Sequence, residues 1–251
     1  MGRPHRALVA GLVPALLLLA APLQAAPPAC PMAVATRTVG ETPSAMGRPP
    51  TPVPPGTSAP GKDYRQRLRP TGLGWPRLDH WCVWVEPAAA SGAGQRWDAL
   101  WLAAVERALG QWQQELTITR VEDPAAAQVR ILRRRPPLLQ EASGRTRASH
   151  GRAQLAAVAV DRGAGWILEP QVLVVISPGQ RPEATEATAL HELGHAFGLW
   201  GHSDDPADAM AAVPDARPVL ELSGRDQATL RWLQRQPTRF GQPLPAAPTS
   251  P

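Results

Sequence analysis

Apolar and polar positions change their period several times along this chain, and each change marks an element. Residues 80–86, His-Trp-Cys-Val-Trp-Val-Glu, form a β-branched and aromatic run closed by Pro87 and read as a strand. Trp97, Trp101, Val105, Ala108 and Trp112 then recur three or four apart with polar residues between them. That is the period of an amphipathic helix over residues 97–115, with its tryptophans turned to a core. Short β-rich runs follow at residues 116–121 and 128–132, then a Pro/Arg/Gly-rich loop to Gly151, then runs at 154–160 and 171–176, which brings the expected strands to five. A second helix is predicted over residues 182–199, with Pro182 in its first turn and Gly201 beyond its end. A third is predicted over residues 224–236, N-capped by Ser223 with Asp226 in the first turn. No internal repeat is visible. Strand, helix, four strands, helix, irregular stretch and closing helix make an α/β domain around a twisted, mostly parallel sheet.

Before residue 80 the periodicity is lost. Arg3, His5 and Arg6 precede an apolar stretch over residues 7–20 and a small-residue stretch at 22–26, the layout of a secretory signal peptide cleaved near Ala25 or Ala26. The apolar stretch is shorter than the ~20 residues a membrane span needs, and Pro14 interrupts it, so no membrane anchor is expected. The chain is thus expected to be exported, to the periplasm or the extracellular space. Residues 27–60 are rich in Pro, Ala, Thr and Gly and are expected to form a disordered linker that cannot bury enough surface to offset its ordering entropy. Residues 61–79 read as transitional, 80–240 as the folded domain, and 241–251 as a tail. Cys30 and Cys82 could pair in an exported protein, and lipid attachment at Cys30 is the alternative.

Composition narrows the partners. With 251 residues and 43% apolar content, one core is the default. The 26 Lys+Arg exceed the 21 Asp+Glu only mildly, although arginine dominance raises the isoelectric point to about 10.4. The runs Arg133-Arg134-Arg135 and Arg145, Arg147, Arg152 lack interleaved aromatics and any nucleic-acid motif, so they read as solvated surface and no nucleic-acid partner is expected.

Chemistry is concentrated in residues 191–202, His-Glu-Leu-Gly-His-Ala-Phe-Gly-Leu-Trp-Gly-His. Residues i and i+4 of a helix share a face, so His191 and His195 can direct two imidazoles at one metal ion. Glu192 then lies beside the ion, within reach of a water on it. Zinc takes neutral imidazoles at about 2.0–2.1 Å and keeps a catalytic position open when three protein ligands hold it. Gly198 is suited to ending the helix and turning the chain, and His202 on the returning segment is the candidate third donor.

These residues resemble the metzincin zinc endopeptidases, in particular their matrixin-like branch. Against the clan pattern H-E-x-x-H-x-x-G-x-x-H, His191, Glu192, His195 and Gly198 match position by position, and His202 arrives one residue late. Ser203 follows His202 as a serine or threonine does in matrixins, and Met210 stands eight residues past His202, where they carry the methionine of the Met-turn. Leu222-Ser223-Gly224-Arg225-Asp226, followed by Leu230 and Leu233, is similar to the start of the matrixin closing helix. The resemblance implies a zincin fold, with a five-stranded, mostly parallel sheet, one antiparallel edge strand and three helices, the active-site helix leading to the Met-turn. It implies one catalytic Zn2+ on His191, His195 and His202, with Glu192 as general base, in a secreted, monomeric metalloendopeptidase acting on protein or peptide substrates. Residues 154–160 would be the edge strand that pairs with an extended substrate. Met210 is followed by Ala211-Ala212-Val213-Pro214 instead of the usual Met-x-Pro, and Pro76-Arg77-Leu78-Asp79 carries no thiol for a cysteine latch. The only tyrosine, Tyr64, is expected outside the domain. Ca2+ candidates are Asp161 and the group Asp204, Asp205, Asp208, without diagnostic spacing.

Overall fold

The computed structural model describes residues 28–39, 62–140, 146–213 and 216–244. The expected signal peptide, most of the expected linker and the last residues of the expected tail lie outside them. In chain order the elements are β1 (Ala35–Thr38), β2 (His80–Val85), α1 (Gln95–Gln113), β3 (Thr117–Arg120), β4 (Val129–Arg133), β5 (Leu139–Gln140), β6 (Thr146–Arg147), β7 (Gly151–Asp161), β8 (Trp166–Ile176), α2 (Pro182–Ala196) and α3 (Gly224–Leu233). β5 and β6 form a small separate hairpin. The other strands make one sheet in the order β1-β7-β8-β4-β2-β3. β3, β2, β4 and β8 run parallel, whereas β7 is antiparallel to β8 and β1 is antiparallel to β7.

The apolar patterning explains the layers. β2 buries Trp81, Cys82, Val83 and Val85, side chains of both pleat faces, as expected of an inner strand of a parallel sheet. α1 turns Trp101, Val105, Ala108 and Trp112 inward, where they meet Ala189, Leu190 and Leu193 of α2 in one core. Trp112 also donates its indole N–H to the Leu190 carbonyl at 3.1 Å, which pins α1 to the helix carrying the histidines. Phe197, just past α2, lies edge-on to Trp81 and Trp112, with ring centroids 5.5 and 5.8 Å away. Among the described residues no helix is long and apolar enough to cross a membrane.

The structure departs from the expectations in several places: Trp97, expected to face the core, is exposed; residues 241–244, expected in the tail, bond to β8 through Gln242 and Leu244; and the expected loop before Gly151 contains the β5–β6 hairpin. The sheet has six strands, because Ala35–Thr38, within the expected linker, pairs with residues 158–161 of β7. All four side chains of β1 are exposed, so no apolar alternation could announce it. Backbone pairing and a Cys30–Cys82 disulfide hold it instead. The expected edge strand is consequently an edge over only part of its length. Residues 62–79 are integral to the fold: Tyr64 is fully buried, and Leu68 and Leu73 are buried as well. Tyr64 was expected outside the domain; its ring packs in the main core and its phenol reaches α3. Finally, α2 ends at Ala196, since the chain must turn at Gly198.

Candidate metal centre

α2 starts with Pro182 at its first helical position and Glu183 in its first turn, both favourable at a helix N-terminus. Its last two turns carry His191, Glu192 and His195. Gly194, between them, faces Met210: a Cβ there would lie 2.1 Å from the Met210 Sδ, so only glycine allows the methionine to pack under the histidines. Gly198 adopts φ +107° and sits so close to the Pro76 carbonyl that a Cβ would be 2.8 Å from its oxygen. The Leu199 N–H returns to the Gly194 carbonyl at 2.9 Å, satisfying the helix end. At Gly201 a Cβ would fall 2.3 Å from the Arg67 carbonyl oxygen, so the extra Trp200-Gly201 step is accommodated by contact with residues 65–69.

This path brings His202 back over α2. The ring centroids of His191 and His195 are 4.9 Å apart, those of His191 and His202 5.2 Å, and those of His195 and His202 4.9 Å. One ring nitrogen from each lies within 4.8 Å of the others, a grouping that could hold a metal ion. The hydrogen bonds settle which nitrogens are available. His191 Nδ1 is 2.9 Å from the Ala209 carbonyl and His195 Nδ1 is 2.8 Å from the Leu199 carbonyl. A carbonyl only accepts, so both Nδ1 atoms carry the proton and both Nε2 lone pairs are free to ligate. Burial pushes His191 down to about 4, holds His195 well below the usual imidazole range and lowers His202 as well. Neutral imidazole is the form a metal takes.

Glu192, next to His191 on α2, packs against β7. It is 9% exposed, and burial pushes its carboxyl up to about 7, with the Ala153 backbone N–H and the Arg152 charge acting in the opposite direction. Gly151 lies so near that a Cβ would be 2.6 Å from Glu192 Cγ and 2.8 Å from Oε1. Strand β7 therefore reaches the carboxylate through backbone alone.

Behind the histidines, fully buried Asp226 accepts from the Tyr64 hydroxyl at 2.7 Å and from the N–H groups of Ala209 at 2.8 Å, Ser223 at 3.0 Å and Met210 at 3.4 Å. The Ala209 carbonyl is the one that accepts from His191, so a continuous chain runs from Tyr64 through Asp226 to a histidine of the cluster. Ser203 donates to Asp208, which also accepts from Ser223 at 2.6 Å. Asp204, Asp205 and Asp208, the calcium candidates, all pair with Arg225. Asp161 caps its own turn by accepting from Gly163 and Gly165. Trp200 stacks on His195, with centroids 5.5 Å apart and planes 21° apart.

The residues singled out by sequence thus converge: His191, His195 and His202 meet, Glu192 is adjacent, and Met210 underlies them. Sequence reasoning missed Gly151, Tyr64 and Trp200, and gave Asp226 only a helix-capping role. Comparison with known proteins adds nothing to this geometry, because no family model matches the chain and no curated protein matches it.

Proposed function

We propose that this chain is an exported zinc metalloendopeptidase of the matrixin-like branch of the metzincins. One observation carries the reading: three imidazoles converge, two of them on α2 with Nδ1 held by backbone carbonyls, and the same helix carries the buried carboxyl of Glu192 between those two. A set of three nitrogen donors suits zinc, which favours four-coordination and leaves one position for the reaction when the protein supplies three ligands. His191, His195 and His202 would hold it. When bound, zinc supplies Lewis acidity, lowering the pKa of water toward ~7 and polarising a carbonyl.

Glu192 does the proton work. Its carboxylate takes a proton from the attacking water as the water oxygen bonds to the scissile carbonyl carbon, and returns it to the amide nitrogen as the C–N bond breaks. Gly151 and Ala153 hold this carboxyl against β7, so proton acceptor and sheet edge are adjacent. An extended peptide pairing with that edge would pass its backbone beside Glu192. Tyr64, committed to Asp226, takes no part in the chemistry.

The test is zinc content and casein cleavage of the full chain and of its Glu192→Ala variant. Near-stoichiometric zinc in both, with cleavage in the parent alone, is the expected result. Equal cleavage by both removes Glu192 from the mechanism, and absence of zinc from the parent overturns the reading.

A further inference from the structure

Strand β1 is an unusual component of a sheet. Its four side chains are exposed, so it buries no apolar surface of its own and adds nothing to the core. What it does is occupy hydrogen-bonding groups on the outer edge of β7. Ala35 through Thr38 lie opposite Asp161 through Val158, and the Val39 N–H continues the ladder to the Ala157 carbonyl at 3.4 Å. Val39 is the last residue described on this side of β7. Residues 151–156 of β7 have no strand partner on that edge among the described residues, and this is the stretch whose Gly151 and Ala153 touch Glu192.

The attachment of β1 explains how so exposed a strand stays in place. The Cys30–Cys82 disulfide ties its N-terminal approach to β2. The Ala33 N–H reaches the Ala125 carbonyl at 3.2 Å, and Arg162 donates to the Pro31 carbonyl. The Arg37 guanidinium stacks over the Trp166 ring at 4.6 Å, and Val39 packs on the small cluster of Leu73, Ala157, Leu168 and Phe240. These contacts hold residues 31–39 against the half of β7 that lies beyond Ala157.

We propose that β1 is a covalently tethered strap that shortens the peptide-pairing edge of β7 to residues 151–156, and so sets how many residues of an extended peptide the site can read on the N-terminal side of the cut bond. The inference rests on the peptidase reading. A peptide antiparallel to β7 runs in the same direction as β1 and abuts Val39 with its N-terminal end. Because Gly151 and Ala153 flank Glu192, only Gln154, Leu155 and Ala156 remain on the strap side, room for three paired residues.

The experiment is a ladder of peptides that share one cleavable bond and grow by single residues at the N-terminus, assayed with the full chain. In the parent, kcat/KM is expected to rise over about the first three added residues, by roughly two- to tenfold where a residue gains one net hydrogen bond, and then to level off. Two variants loosen the strap without touching the site. Arg37→Pro removes an N–H that strand alternation directs at β7, together with the stacking on Trp166, and Cys30→Ser with Cys82→Ser removes the tether. In at least one of them the rise is expected to continue through two or three further residues, with cleavage of the shortest peptide unchanged. A parent that goes on gaining beyond the fourth residue, or variants that level off where the parent does, overturns the strap.

A second readout is independent of turnover. With a peptide of eight residues on that side bound to the Glu192→Ala protein, slowed amide exchange in β7 is expected only within residues 151–156, and further along the strand once Arg37→Pro is added. Exchange unchanged anywhere in β7 overturns the strap while leaving the peptidase reading to the casein assay, so the two can fail separately.

Discussion

Gly151 and Tyr64 show how much the candidate site depends on single residues that carry no chemistry themselves. A Cβ at Gly151 would meet Glu192 Cγ and Thr188 Cγ2 at 2.6 Å each, so Gly151→Ala must push the carboxyl out of line or move the strand. A misplacement of about 1 Å at a reacting group costs on the order of a hundredfold in rate. Gly151→Ala is therefore expected to lower kcat by that order with zinc content unchanged, as steady-state kinetics beside metal analysis will read. Tyr64 offers an optical test, because it is the only tyrosine in the chain. Its burial, and then the Asp226 charge beside it, push its phenol far above the usual value of 10.0. A group whose folded pKa is raised favours the fold at low pH, and that contribution is lost as pH rises above about 10, where the unfolded phenol ionises and the native one does not. Absorbance at 295 nm is thus expected to stay flat past pH 10 and then to climb together with the loss of the circular dichroism signal. Ionisation at pH 10 with the fold intact would contradict the burial of this residue.

At the scale of elements, legibility followed periodicity. The i, i+4 spacing on α2 grouped His191 with His195, and the tryptophan period of α1 located a helix within two residues of its observed ends, because both patterns are local and repeat. The turn carrying His202 was legible only as a Gly-x-x-Gly-His stretch. Its path is decided by contacts with Pro76 and Arg67, residues more than a hundred positions away. The role of Asp226 was hidden for the same reason. Ser223 is the expected N-cap and closes a capping box with Asp226, yet the same carboxylate also accepts from Tyr64, Ala209 and Met210, which no spacing relates to it. α3 thereby fixes the loop whose Ala209 carbonyl orients His191. Asp226→Ala leaves these buried donors without an acceptor, at about 1–3 kcal/mol for each donor that finds no water. Loss of such an outer partner typically weakens metal binding 10- to 100-fold. The expected result is a lower melting temperature and weaker zinc affinity together, measured by thermal unfolding and by competition with a chromophoric chelator. Unchanged zinc affinity in a folded variant would show that α3 does not orient His191.

For the whole molecule, the α/β class and the parallel part of the sheet follow from the chain order of apolar runs, whereas the N-terminal contribution does not. Neither Thr36 nor Arg37 is buried, and a disulfide partner cannot be read from two cysteines alone. Covalent geometry, not patterning, recruits residues 28–39 into the domain. The energetic consequence can be bounded. Cys30 and Cys82 are 52 positions apart, and closing a loop of that length lowers the entropy of the unfolded chain by an amount worth about 4 kcal/mol. The segment it tethers buries few side chains, so the loss on opening the bond falls mainly on the unfolded ensemble and leaves the core and the histidine cluster as they are. For a domain of this size about 1 kcal/mol moves the melting temperature by about 2–4 °C. Cys30→Ser with Cys82→Ser is therefore expected to melt some 8–16 °C below the parent, with zinc content unchanged. Cys30→Ser alone should fall no further, since Cys82 is buried and a free thiol sits in such a place as a small apolar group. If the double variant instead lost its zinc at temperatures where it remains folded, the N-terminal segment would have to be counted as part of the metal centre, and not only of the sheet edge beside it.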